Sequence, residues 1–191
     1  VFNAIFKKTF FWDGGVHNLD MVPINPIENR IEMDEHLDNV LKRLNESVLY
    51  RQYFKEAFSV VSISSKEFLQ ALSQFMAAMI SANSRYDKYV RNEEGQLTAE
   101  ELDGLNVFKQ KCSSCHATDL FTDGSYRNNG ITNDFRFDKG RQEITLNEAD
   151  KGKFKVPTLR NIEYTDPYMH NGKLKTLEEV LDHYATGIKD S

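Results

Sequence analysis

The feature that most constrains this chain is one pentapeptide, Cys112-Ser113-Ser114-Cys115-His116. It contains both of the cysteines in the sequence. Cysteines this close cannot staple a fold usefully, because the loop they would close is too short to remove much entropy from the unfolded chain. Their purpose is therefore chemical. The C-x-x-C-H pattern is the attachment signature of c-type haem. Its two thiols add to the two vinyl groups on one edge of the porphyrin, and the next residue brings its imidazole to the iron as proximal ligand. A zinc site would need two further ligands, for which His170 and His183 are the candidates. A thioredoxin-like redox pair would need a βαβ setting, and none is visible. The thioether reading leads. It places the mature protein outside the cytoplasm, in the periplasm, where such attachment occurs.

The surrounding pattern is helical. Asp34 reads as an N-cap, followed by Leu37, Val40, Leu41 and Leu44 at i, i+3, i+4 and i+7. Residues 48–58 continue in the same style. Ser64 with Glu67, Thr98 with Glu101 and Thr176 with Glu179 form three capping boxes. The first opens a helix with Phe68, Leu69, Leu72, Phe75, Met76, Met79 and Ile80 on its apolar side. The second opens a helix that runs into Cys112 and carries Phe108, four residues earlier, where it could pack on a porphyrin. The third opens the last helix, with Leu177, Val180, Leu181 and Tyr184. Residues 1–33 read as irregular but apolar. Residues 92–96 are the best linker, and residues 117–150 read as a long polar loop wrapped around a ligand. No stretch alternates as a convincing strand, and no repeat is visible.

The 191 residues suit one large domain or two small ones. A chain 40% hydrophobic and 28% charged is an ordinary globular one. The net charge of -5 makes nucleic acid a poor partner. The longest apolar candidate, 68–80, is too short and too interrupted to span a membrane. The first residue is Val1, not Met, which reads as a processed or truncated chain.

Three groups of segments go beyond a generic haem protein. The first is Phe11-Trp12-Asp13-Gly14-Gly15, with Pro26-Ile27-Glu28-Asn29-Arg30-Ile31-Glu32-Met33. The second is Gly104-Leu105-Asn106-Val107-Phe108 leading to the pentapeptide. The third is Phe154-Lys155-Val156-Pro157-Thr158-Leu159-Arg160-Asn161, then Pro167-Tyr168-Met169-His170-Asn171-Gly172 and Thr176-Leu177-Glu178-Glu179-Val180. In order and wording they resemble the bacterial di-haem cytochrome c peroxidases, a family that includes the MauG-type enzymes. The resemblance implies a mainly α fold of cytochrome c-like helical haem domains, two pseudo-related domains with long loops. On that reading residues 1–91 are the remainder of the N-terminal peroxidatic domain. Residues 92–191 are the C-terminal electron-transfer domain, with one covalent haem c here and a second expected in the full-length protein.

The resemblance also implies roles. Glu32 matches the distal acid that moves a proton between the peroxide oxygens. The position ten residues before it, often glutamine in the family, is Val22, which removes a hydrogen-bonding partner. Trp12 matches an electron conduit. His116 is the proximal iron ligand, and the sixth ligand is Tyr184, as in MauG-type enzymes, with His183 and Met169 as competitors. Arg160 and Lys155 could pair with haem propionates. Thr165 and Pro167 match positions whose carbonyls help hold calcium. The implied activity is reduction of hydrogen peroxide with electrons from a small cytochrome or cupredoxin, and a homodimer is among the expected assemblies. The alternatives are a mono-haem electron-transfer module and a MauG-like oxidase of a protein substrate.

Overall fold

The structure is a computed structural model that describes residues 2–189. It is mainly helical, in keeping with the sequence. The chain forms two compact units. One comprises the residues up to Phe10 together with Val16–Ile80, and the other Phe11–Gly15 together with the chain from Ser81 onward.

The first unit contains α1 (Ile24–Glu28), α2 (Leu37–Glu46), α3 (Val48–Phe58) and α4 (Ser65–Ala78). The expected capping box opens α4: the Glu67 carboxylate accepts the backbone N–H of Ser64 at 3.2 Å. This satisfies a donor that helix geometry would otherwise leave orphaned. Helix α4 buries Leu69, Ser73 and Met76 and packs on α2 and on two short 3₁₀ turns, Ala4–Phe6 and Leu19–Met21. The Ser73 hydroxyl donates to Asp20 in the second of those turns. Phe75 and Ile80, expected on the apolar side, are exposed. Asn45 ties α2 to the connection before α4, donating to the Ile63 carbonyl at 2.8 Å and accepting its N–H at 2.9 Å.

Asp34 is not the cap of α2. Its φ of 47° puts it in the left-handed region, and the helix begins three residues later behind His36. The short α1 and the 3₁₀ turns lie in a segment that its prolines and glycines mark as irregular.

The second unit contains α5 (Arg85–Val90), α6 (Ala99–Lys111), α7 (Gln142–Thr145) and α8 (Leu177–Asp182). It also contains a two-residue antiparallel pair, β1 (Tyr126–Arg127) with β2 (Phe154–Lys155), in register Tyr126↔Lys155 and Arg127↔Phe154. The compact units part between Ile80 and Ser81, so α5 and the polar turn at 92–96 both belong to this unit. The boxes at Thr98–Glu101 and Thr176–Glu179 are formed, and a further one, Ser84–Asp87, opens α5. Arg85 forks onto the Glu101 carboxylate with two bonds of 2.7 Å, joining α5 to α6. Among the described residues the buried apolar side chains of this unit are Ile131, Phe154 and Val156. The unit therefore rests heavily on half-buried contacts and loop hydrogen bonds. Helix α8 runs into a π-helical turn, His183–Gly187. No helix among the described residues is long and apolar enough to cross a membrane.

Candidate functional site

Helix α6 ends at Cys112, whose N–H still bonds to the Phe108 carbonyl at 2.8 Å. The chain then turns tightly, and the His116 N–H returns to the Cys112 carbonyl at 2.9 Å. This turn holds both thiols and the imidazole at one helix end. Both cysteines are free and half-buried. Nδ1 of His116 lies 2.9 Å from the Phe121 carbonyl oxygen. A carbonyl can only accept, so Nδ1 carries the proton and the lone pair is on Nε2. That is the tautomer a metal-binding histidine needs, fixed by its partner on the other nitrogen. Two free thiols beside a histidine in this tautomer are the donor set that a covalent haem requires.

Three aromatic rings cluster at the residue that orients the histidine. Phe121 lies edge-on to Phe108 at 5.8 Å and to Tyr86 at 5.2 Å between ring centres. Phe108, four residues before the motif, packs on the Phe121 ring of the loop whose carbonyl orients His116.

The three candidates for a sixth ligand converge on Asn129, a residue sequence reasoning did not single out. Its carbonyl lies 2.9 Å from Nε2 of His183, which is buried. Its side-chain amide donates to the Met169 sulfur at 3.1 Å. The same side chain hydrogen-bonds Tyr184. Burial pushes the Tyr184 phenol up from its ordinary pKa. The Asn129 hydrogen bond opposes this, and negative charge on Cys115 or Cys112 would add to it. Tyr184 is half-exposed, whereas His183 is buried, and all three side chains are tied to Asn129.

Trp12 is held beside β2: its carbonyl accepts the Lys155 N–H at 2.7 Å. Arg141 donates to the Asp13 and Gly14 carbonyls at 2.8 and 3.2 Å and lies over the Tyr126 ring at 4.3 Å. A Cβ on Gly14 would sit 1.7 Å from the Tyr126 hydroxyl, so only glycine fits. One backbone bond thus ties segment 11–15 to the edge of β2 and brings the Lys155 N–H to Trp12.

Arg160 is placed differently from expectation. Its guanidinium forks onto Asp87 with bonds of 2.9 and 2.7 Å, and both side chains are 8% exposed. Its Nε donates to the Asp119 carbonyl at 2.7 Å. The fork expected to face a propionate is occupied by a carboxylate. The hydrogen bonds from Arg160 hold the Asp87 carboxyl well below the usual range against the opposing effect of burial, and bonds from Ser84 add to this.

His170 stacks flat on Phe154, with ring centres 3.5 Å apart, and burial lowers its pKa. With His170 there and His183 on Asn129, neither joins the thiols in a four-ligand zinc set. The two-residue β1–β2 pair is likewise no βαβ frame for a dithiol redox motif. Thr165 and Pro167 lie on an exposed turn containing a cis Asp166–Pro167 bond. Glu32 belongs to the first unit. It is exposed, accepts from the Asn29 side chain at 2.9 Å, and sits between exposed Ile31 and Met33.

Fold and donor set together define a helical protein of the c-type cytochrome class. The profile of the family described as di-haem cytochrome c peroxidase matches residues 1–95. The cytochrome c551 peroxidase of Nitrosomonas europaea is 33% identical over 186 residues, covering 95% of this chain and 56% of that protein. The methylamine utilization protein MauG of Methylorubrum extorquens is 32% identical over 190 residues, covering 98% of this chain and 54% of that one. A solved structure of a MauG-like protein associated with microbial copper homeostasis superposes with a TM-score of 0.87 at 31% identity, covering 97% of this chain and 61% of that one. The chain belongs to the di-haem cytochrome c peroxidase and MauG family, and the family implies haem c as its cofactor. The chain spans about half the length of the curated relatives it matches.

Proposed function

We propose that this chain is part of a periplasmic di-haem peroxidase that reduces hydrogen peroxide to water with electrons from a small cytochrome or a cupredoxin. The observation that carries the reading is the donor set at the end of α6: two free thiols and an imidazole whose Nδ1–H is committed to the Phe121 carbonyl. Haem c, when bound, supplies an iron centre that exchanges single electrons. Cys112 and Cys115 would anchor it as thioethers, each S–H adding across a vinyl group with sulfur on one carbon and the proton on the other. His116 would hold the iron through Nε2, and Tyr184 is the residue we assign as a second ligand. Trp12, clipped to β2, serves as a conduit for electrons. Glu32 takes the proton from one peroxide oxygen and returns it to the other. The carbonyls of Thr165 and Pro167 are oxygen donors of the type calcium takes.

The test is a haem stain of the full-length matured product on a denaturing gel, with intact and peptide mass spectrometry. Two porphyrins are expected, one on the peptide containing Cys112 and Cys115. A colourless peptide of amino-acid mass alone overturns the reading. Peroxide consumption coupled to oxidation of a reduced small cytochrome then tests the activity. Tyr184 favours a second reading, a MauG-like oxidase of a protein residue. Peroxide turnover that oxidises a protein substrate but not the small cytochrome would select it.

A further inference from the structure

We infer that the buried Asp87–Arg160 pair is a positioning device for the proximal histidine, acting through the carbonyls of the loop after the C-x-x-C-H motif. The inference rests on the haem reading above. Three consecutive carbonyls of that loop have defined tasks. Arg160 Nε holds the Asp119 carbonyl at 2.7 Å, the Thr158 hydroxyl holds that of Leu120, and the next, Phe121, accepts His116 Nδ1–H at 2.9 Å. Thr122 closes the clamp from the other side, donating to the Val156 carbonyl at 2.6 Å. Arg160 also lies over the Phe121 ring, with its guanidinium carbon 5.5 Å from the ring centre.

The loop needs such a clamp. Thr118 and Phe121 have φ of 65° and 53°, a left-handed conformation that side-chain-bearing residues hold only when their surroundings over-determine it. Arg160 supplies that constraint only while it is itself fixed. Asp87 fixes it with two bonds from the capped start of α5. A bidentate carboxylate sets both the position and the plane of a guanidinium. The chain of positioning therefore runs from Asp87 through Arg160 to the loop carbonyls and His116.

The chemical consequence is specific. A firm acceptor on Nδ1–H makes an imidazole a stronger donor to metal, which favours ferric over ferrous iron. Loosening the clamp weakens that bond, so the midpoint potential of the haem on His116 rises.

The experiment compares full-length haem-loaded protein with Asp87→Asn, Arg160→Gln and Thr158→Val by spectroelectrochemical titration, alongside thermal melting. All three are expected to raise the potential of this haem, Thr158→Val least, and Asp87→Glu is expected to return it towards the parent value. A field effect of the charges alone would instead move Asp87→Asn up, Arg160→Gln down and Thr158→Val not at all, which overturns the inference. Lowered melting temperatures with unchanged potentials mean a purely structural pair and also overturn it. Thr158→Val leaves no buried charge behind, so it decides the matter if the other two do not accumulate. Absence of covalent haem from the parent protein would sink the haem reading itself, whereas normal haem with unmoved potentials sinks only this inference.

Discussion

His183 and Asn129 are joined through a ring nitrogen and a main-chain carbonyl, with Nε2 and O 2.9 Å apart. The bond crosses 54 residues of sequence and ends in the buried interior. It makes His183 a brace between the long loop and the end of α8, next to the half-exposed Tyr184.

Replacing His183 with leucine keeps much of the volume and removes the donor. The Asn129 carbonyl then has no partner, at a cost of about 1–3 kcal/mol. Urea unfolding is expected to show that loss with the axial-ligand spectrum of the haem unchanged. Altered axial ligation at unchanged stability would reverse the roles given to His183 and Tyr184.

Tyr184→Phe removes the phenol oxygen and keeps the ring. The phenolate-to-iron absorption of the oxidised protein should disappear, and the midpoint potential should rise, because a hard anionic donor to ferric iron is lost. Met169→Leu is expected to leave both alone. If the methionine variant carries the spectral change, the assignment moves to Met169.

The Asp87–Arg160 pair predicts a pH dependence. The folded pKa of Asp87 is depressed, whereas an unfolded aspartate titrates near ~3.9. Its contribution is therefore fully present above that value and is lost as pH falls from there towards the lower folded pKa. Asp87→Asn leaves Arg160 buried without its counter-charge, a loss of about 3–5 kcal/mol. Denaturation curves at neutral and acid pH should show the wild-type protein losing stability on the acid side and the variant losing less of it. Parallel acid-side slopes would contradict this.

Gly14→Ala forces a methyl group towards the Tyr126 hydroxyl at a φ of 73°. The left-handed conformation alone costs an alanine about 1–2 kcal/mol, and the overlap adds to it. Segment 11–15 should detach from β2. Trp12, the sole tryptophan, reports it directly through a change in emission together with a lower urea midpoint. Unchanged emission would mean that the packing of Gly14 against Tyr126 does not hold Trp12.

What could be read from the sequence was local. The capping boxes at Ser64, Thr98 and Thr176 rest on pairs three residues apart, and the C-x-x-C-H turn on five consecutive residues, so spacing carries them. The box at Ser84 escaped because its third helical residue is Asp87 rather than a glutamate and α5 has only six residues. Asp34 had the chemistry of a cap but not the backbone. The Arg160–Asp87 bond joins residues 73 apart, and no periodicity encodes such a pair. Asn129 works partly through its carbonyl, which any residue could offer, so its side chain could signal only part of its role. The attachment of Trp12 to β2 likewise uses main-chain groups.

The π-helical turn at His183–Gly187 separates two jobs that neighbouring residues would otherwise share. One side chain is anchored in the interior, and the next is offered outwards on a widened coil. A substitution at 184 therefore alters a half-exposed side chain while the anchor at 183 stays in place.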